Sequence, residues 1–153
     1  MTIDYRSVTT YAILFLPMLL GYGANLGNPI DSKAGADIPA RPPSQAFGIV
    51  WPVLYLLIGF AWLTLRAEQG TRTDVLFGVL VALLTAWTPV YGRGYTKRAL
   101  YVILLATTAS LATFGHAWST DANSGLLMTP LVGWLMFATS LNMAEVNAGS
   151  DHS

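Results

Sequence analysis

The chain contains no cysteine and only two histidines among its 153 residues. Disulfides, thiolate nucleophiles and cysteine-based metal sites are excluded, and two histidines cannot build a His-rich metal centre. Charge is equally scarce. Eight Lys+Arg and eight Asp+Glu make up 10% of the chain, against roughly 25% in an ordinary soluble domain, and 54% of residues are hydrophobic. The formal net charge is zero, so no basic stripe can neutralise phosphates and nucleic acid is not expected as a partner. No Ser-His-Asp array, phosphate-cradling glycine loop or spaced set of metal ligands can be read. Neither a metal nor an obligatory cofactor is expected.

What the chain has instead is apolar length. Its charges leave five uncharged runs, Ser7 to Ile30, Pro42 to Leu65, Val75 to Gly92, Ala99 to Thr120 and Ala122 to Ala144, of 24, 24, 18, 22 and 23 residues. A membrane-spanning helix needs about 20. The expected fold is all-α, one integral membrane domain (1–153) of five transmembrane helices at about 8–26, 43–65, 74–91, 97–118 and 126–146. The remaining residues are too few to bury a second core. The first run outlasts a signal-peptide core and shows no clear cleavage signal, so it counts as the first span. Pro17 predicts a kink there, and Gly21, Gly23 and Gly27 predict a loosened end.

Residues 28–41 form the longest connection, rich in Pro, Gly and charge, as suits a lid or binding element. Pro42 and Pro43 fit the first turn of the second helix. The turns after spans 2, 3 and 4 are short and make antiparallel neighbours. Arg6, Arg66 and Arg72 fall on one side and Lys33, Arg41, Arg93, Lys97 and Arg98 on the other. Three against five puts the long loop and the C-terminus in the cytoplasm.

Ionisable groups are nearly absent from the spans, which argues against a proton-coupled pump and against catalysis by paired carboxylates. His116, near the end of span 4, reads as a half-exposed interfacial imidazole rather than an axial ligand for a porphyrin metal. Glu145 marks the end of span 5. Trp62 and Trp118 lie near span ends and fit an interfacial aromatic belt. Trp51, Trp87 and Trp134 lie inside their spans. Phe47, Trp51 and Tyr55 follow one another at i, i+4 and i+8 on one helix face, as do Pro130, Trp134, Ala138 and Asn142. Two readings of these faces stay open: they hold a flat hydrophobic ligand between helices, or they fill the interior and face lipid. Gly78, Ala82 and Ala86 form a strip of small residues suited to a homodimer seam or to packing within the chain.

The stretch Pro39-x-Arg41-Pro42-Pro43-x3-Phe47-x2-Val50-Trp51-x2-Leu54-Tyr55 resembles the loop-to-second-helix signature of the TspO / translocator protein family. A second block, Pro130-Leu-Val-Gly-Trp134-Leu-Met-Phe137-Ala138-Thr139-Ser-Leu141-Asn142, is similar to that family's fifth helix, and Ala86-Trp87-Thr88-Pro89 to its third. The resemblance implies a five-helix membrane bundle, often dimeric, with a pocket under the first loop for tetrapyrroles such as porphyrin or haem. Carried over by position, the ligand-binding residues are Pro42, Pro43, Phe47, Trp51, Tyr55, Trp87, Thr88, Trp134, Ala138 and Asn142. In some bacterial members light-dependent porphyrin breakdown is attributed to the tryptophans matching Trp51 and Trp134, which would then be catalytic.

Departures from the family pattern touch the lid and the third helix. Ser32 and Lys33 stand where many members have Trp-Tyr, Arg41 where a tryptophan precedes Pro-Pro, and Leu84 where an asparagine is common. The lid is more basic and less aromatic, which predicts altered ligand choice, and Arg41 could pair with a porphyrin propionate. Membrane lipid is the expected surrounding, and sterol a weaker candidate. The stretch after span 5 lacks the Tyr and Lys/Arg of the cholesterol pattern, and only a loose match, Val90-x4-Tyr95-x-Lys97, exists.

Overall fold

The computed structural model describes residues 6–27 and 44–149, with the side chains of Tyr22, 25–27 and 44–47 outside that description. The described residues form five α-helices: α1 Val8–Gly27, α2 Ser44–Glu68, α3 Gly70–Gly92, α4 Thr96–Thr120 and α5 Ala122–Asn147. Four of them, from Gly48–Glu68 onward, are long and apolar enough to cross a membrane, and α1 carries a shorter apolar stretch over Val8–Gly21. Pro42 and Pro43 lie outside the described residues, as do Ser32, Lys33 and Arg41.

The helices extend past the edges that charge suggests. α2 continues through Arg66 to Glu68, and α3 begins at Gly70, four residues before Asp74. A charge marks where hydrocarbon ends, whereas a helix ends where its backbone loses partners. Here the backbone runs almost without a break, because Gln69 N–H donates to Leu65 O and Gln69 O accepts from Thr73 N–H. Arg66 closes this hairpin by pairing with Asp74 at 3.0 Å. Gly21 and Gly23 do not loosen α1, which stays helical to Gly27. At the far turn, Asp121 caps α5 by accepting from the backbone and hydroxyl of Ser124 at 2.9 and 2.7 Å. Those bonds hold its carboxyl below the usual carboxylate range.

α2 touches each of the other helices, and α4 with α5 forms the most extensive pair. Small residues explain that pair. The buried face of α4 presents Ala99, Ala106, Ser110, Thr113 and Ala117, so the α5 face of Gly125, Met128, Leu131 and Leu135 can approach closely. Thr107 and Thr139 exchange a hydroxyl hydrogen bond across it at 3.0 Å. On α3 the buried positions Thr73, Phe77, Leu80, Leu84, Trp87 and Tyr91 follow helical spacing and face the centre. Several hydroxyls within the spans bond carbonyls one turn back, as Thr108 does to Leu104 and Thr113 to Ala109. No polar hydrogen of these is left facing hydrocarbon.

The expectations for Trp62 and His116 change. Trp62 is not a belt residue: it is only 7% exposed, stacks on Phe77 at 5.7 Å and donates Nε1–H to Asp74 at 2.8 Å. Trp118 is half exposed and lies over Gly125. His116 is not half-exposed either. It is 7% exposed, with Nε2 2.9 Å from the fully buried Thr73 hydroxyl. Thr73→Val keeps the shape and leaves that ring nitrogen buried without its partner. The expected loss is about 1–3 kcal/mol, most of it recovered in Thr73→Val/His116→Leu, read by thermal unfolding in detergent. Equal stabilities of wild type and the single variant would refute the bond's role.

Candidate functional site

The aromatic residues of three helices meet at one end of the bundle. Trp51 on α2 lies 5.6 Å from Tyr55, 6.0 Å from Trp87 on α3 and 6.3 Å from Trp134 on α5, the last contact edge to face. These separations and angles suit the ring quadrupole. Trp87 in turn stacks on Tyr91 at 4.6 Å and 19°, and Trp134 touches Phe137 at 5.6 Å. The spacing Trp87–Tyr91, one turn apart, makes the first of these stacks a local property of α3.

Polar groups hold the cluster in place. Trp87 Nε1–H donates to Asn142 Oδ1 at 3.3 Å, and Asn142 Nδ2–H donates to Thr96 O at 2.9 Å. One buried amide thereby ties α3, α4 and α5 together. Ala138 is buried one turn before Asn142. Thr88 is buried too, but its hydroxyl donates to Leu84 O within its own helix. Leu84 itself is buried and supplies only methyls to the α3 face. The Phe47 backbone belongs to α2, and its side chain lies outside the described residues.

Tyr55 sits against α1 because of one glycine. A Cβ built on Gly21 would overlap the Tyr55 ring and stand 2.6 Å from its hydroxyl oxygen. Gly21 therefore makes room for Tyr55, a role hidden from a reading that takes glycine near a helix end as a breaker.

Two further residues join the cluster, neither of them placed there by the sequence. Tyr91 and Glu145 are 6% and 1% exposed, and the Tyr91 hydroxyl donates to Glu145 Oε1 at 2.6 Å. Glu145 thus does not mark a solvent edge; it is an acid inside the bundle. Its i, i+3 spacing from Asn142 and the i, i+4 spacing of Tyr91 from Trp87 were the available signals.

Beside the cluster, a groove of about 440 Å³ runs between α2 and α5, lined by apolar side chains including Ile49, Val53, Pro130, Trp134 and Phe137. Gly133 leaves it open, since a Cβ there would meet nothing within 4 Å. Trp134 belongs to both groove and cluster. His116 has no part in it. Its partner Thr73 is fourteen residues before Trp87, about 21 Å along α3 by helical rise, so an axial role at the cluster is ruled out. No group of metal-ligating residues occurs among the described residues.

Residues 13–146 match the TspO/MBR family. The chain belongs to that family. It is 31% identical to the human translocator protein over 117 residues, covering 71% of this chain and 69% of that protein. It is 30% identical to the tryptophan-rich sensory protein of Cereibacter sphaeroides over 104 residues, 67% of this chain and 66% of the relative. Protein CrtK of Rhodobacter capsulatus is 29% identical over 109 residues, 67% and 68% of the two chains. With its long apolar helices, this family member is an integral membrane protein of all-α architecture.

Proposed function

We propose that this TspO/MBR protein is a membrane-embedded binding protein for tetrapyrroles of the porphyrin or haem class, with a sensory, regulatory or transport role. The observation that carries this reading is the meeting of three indoles from three helices beside a buried asparagine. Relatives named as sensory and translocator proteins support the role. A flat macrocycle would part Trp51 from Trp134 and stack on both, each ring contact adding about 1 kcal/mol beyond area burial. The α2/α5 groove offers a route from the bilayer, and its volume falls in the range of about 300–1,000 Å³ usual for small-molecule sites. In this reading Pro42, Pro43 and Phe47 complete the site, Arg41 reaches a propionate, and Tyr55, Thr88 and Ala138 line it.

Titration of the purified protein with protoporphyrin in the dark, followed by tryptophan fluorescence, tests the proposal. Saturable quenching is expected; quenching that grows linearly with added porphyrin would overturn it. A degradative reading is favoured by the edge contact of Trp51 with Trp134, which puts two oxidisable indoles at one ligand face. It requires porphyrin absorption bands that disappear only in light and only with both tryptophans present.

We further propose that Gly78, Ala82 and Ala86 form a homodimer seam. Ala82 and Ala86 are exposed, and a Cβ on Gly78 would meet nothing within 4 Å, so the strip packs against no neighbour within the described chain. The chain lacks cysteine, so Ala82→Cys is a clean probe. Oxidation in nanodiscs should give a disulfide-linked dimer, with Leu105→Cys on the outer face of α4 staying monomeric. The reverse pattern would place the seam elsewhere. Asn147→Cys reports orientation, because cytoplasmic placement of the C-terminus leaves it unlabelled by an impermeant maleimide added to intact cells.

A further inference from the structure

A porphyrin site built on Trp51 and Trp134 as contact surfaces gives Tyr91 and Glu145 nothing to do. Yet a carboxyl group inside a spanning helix is costly and marks function by default. Its partner is a phenol whose ring stacks on Trp87 at 4.6 Å, and Trp87 lies 6.0 Å from Trp51. The four residues form an unbroken series from the ligand face to a buried hydrogen-bonded acid.

Indole and phenol are both readily oxidised by one electron, but their oxidised forms differ in acidity. An oxidised phenol is strongly acidic, so tyrosine gives up an electron easily only if a base takes its proton at the same time. The base must lie within hydrogen-bond reach, about 2.6–3.2 Å. Glu145 Oε1 stands 2.6 Å from the Tyr91 hydroxyl and accepts from it. Tyr55 also touches Trp51, at 5.6 Å, but makes no hydrogen bond to a carboxylate among the described residues. Of the two tyrosines in the cluster, only Tyr91 is equipped to end the series.

We propose that Trp51, Trp87, Tyr91 and Glu145 form a proton-coupled electron relay. A one-electron oxidant at the ligand face takes an electron from the Trp51 indole, leaving a radical cation and a reduced acceptor. An electron then passes from Tyr91 through Trp87 to Trp51. The Tyr91 O–H bond breaks as it does so, and the proton forms a new O–H bond on the Glu145 carboxylate. The outcome is neutral Trp51, a neutral tyrosyl radical and a carboxylic acid. Return of the electron from the reduced acceptor, and of the proton from Glu145, restores the start. The relay clears the radical from the indole that touches the ligand. Its physiological oxidant, a photoexcited tetrapyrrole, rests on the proposed tetrapyrrole-binding function; the relay itself does not.

The test uses the full chain in nanodiscs, illuminated and frozen for electron paramagnetic resonance. One arm uses bound protoporphyrin, and the other a photogenerated ruthenium(III) polypyridyl oxidant with a cobalt(III) complex as final electron acceptor. A tyrosyl signal is expected in wild type and its Tyr91-dependent part should vanish in Tyr91→Phe, replaced by a tryptophan radical. Glu145→Gln keeps an acceptor oxygen but removes the base, and should slow tyrosyl formation about a hundredfold with little change in thermal stability. An equal signal in Tyr91→Phe, or an unchanged rate in Glu145→Gln, overturns the relay. A Tyr91 radical under the ruthenium oxidant without porphyrin binding would keep the relay and sink the ligand reading. Saturable porphyrin binding with no Tyr91 radical in either arm would do the opposite.

Discussion

Replacing Trp51 by alanine is expected to weaken porphyrin binding about thirtyfold or more, equivalent to about 2 kcal/mol, the usual scale for a central aromatic anchor. Trp51 is the one indole in contact with both others, so its loss removes a stacking surface and also frees Trp87 and Trp134 to shift. Trp51→Phe should lose less, because a ring remains. Trp118→Phe is the matched control: that indole is half exposed and packs near Phe114 and Gly125 at the far end of the bundle. Dissociation constants from titration of the three variants decide the point. Equal weakening by Trp118→Phe would mean that bulk tryptophan content, and not this cluster, governs binding.

The largest effect on stability is expected at Gly59. α1 and α2 meet backbone to backbone there, and a Cβ on Gly59 would overlap the Leu14 carbonyl oxygen and stand 3.0 Å from Leu14 Cα. A side chain can rotate away from an intruder, but a helical carbonyl cannot without breaking its own hydrogen bond. Gly59→Val should therefore push α1 off α2, at a cost of about 3 kcal/mol or more, above the usual overpacking range. Among the described helices α1 touches only α2 and α3, so the damage should stay local: far-UV circular dichroism nearly kept, thermal midpoint lowered, and α1 newly open to protease. Tyr55 rests on α1 at Gly21, so porphyrin binding should fall as well. Gly115→Ala, which meets nothing within 4 Å, should leave all of these unchanged. A Gly59→Val protein with wild-type melting would show that the helices can separate freely at this point.

Much of the architecture is legible in the chain because membrane spans announce themselves by what they exclude. The five uncharged runs coincide closely with α1 to α5, and the family resemblance rests on motifs within them. What could not be read is which faces meet. The i, i+4 spacing aligns Trp51 with Tyr55, but only the packing of α2 against α3 and α5 brings Trp51 to Trp87 and Trp134. The same limit explains Trp62, His116 and Glu145. Each lies near a span end, where a polar or amphipathic residue suggests water or headgroups. Each finds a partner on α3 instead: Asp74, Thr73 and Tyr91 respectively. Distance from the end of an apolar run measures depth along the bundle, not distance from its axis. A bundle that closes its ends with side-chain pairs therefore hides them from any reading of one helix at a time.

Glu145 also alters the chemical picture drawn from charge scarcity. A chain whose uncharged runs hold no acid places one just past the last of them, fully buried, against a phenol and one ring away from the tryptophans. Stacking surfaces are then only part of the site's capability.

In the proposed function, Trp51, Trp87 and Trp134 form a defined binding site for a flat macrocycle. Induced circular dichroism in the porphyrin absorption bands tests it most directly, because an achiral ring dissolved in lipid gives no such signal. Wild-type protein in nanodiscs is expected to give a saturable induced signal, kept in Trp118→Phe and lost in Trp51→Ala. No induced signal at saturating porphyrin, or one of equal size in Trp51→Ala, would contradict it.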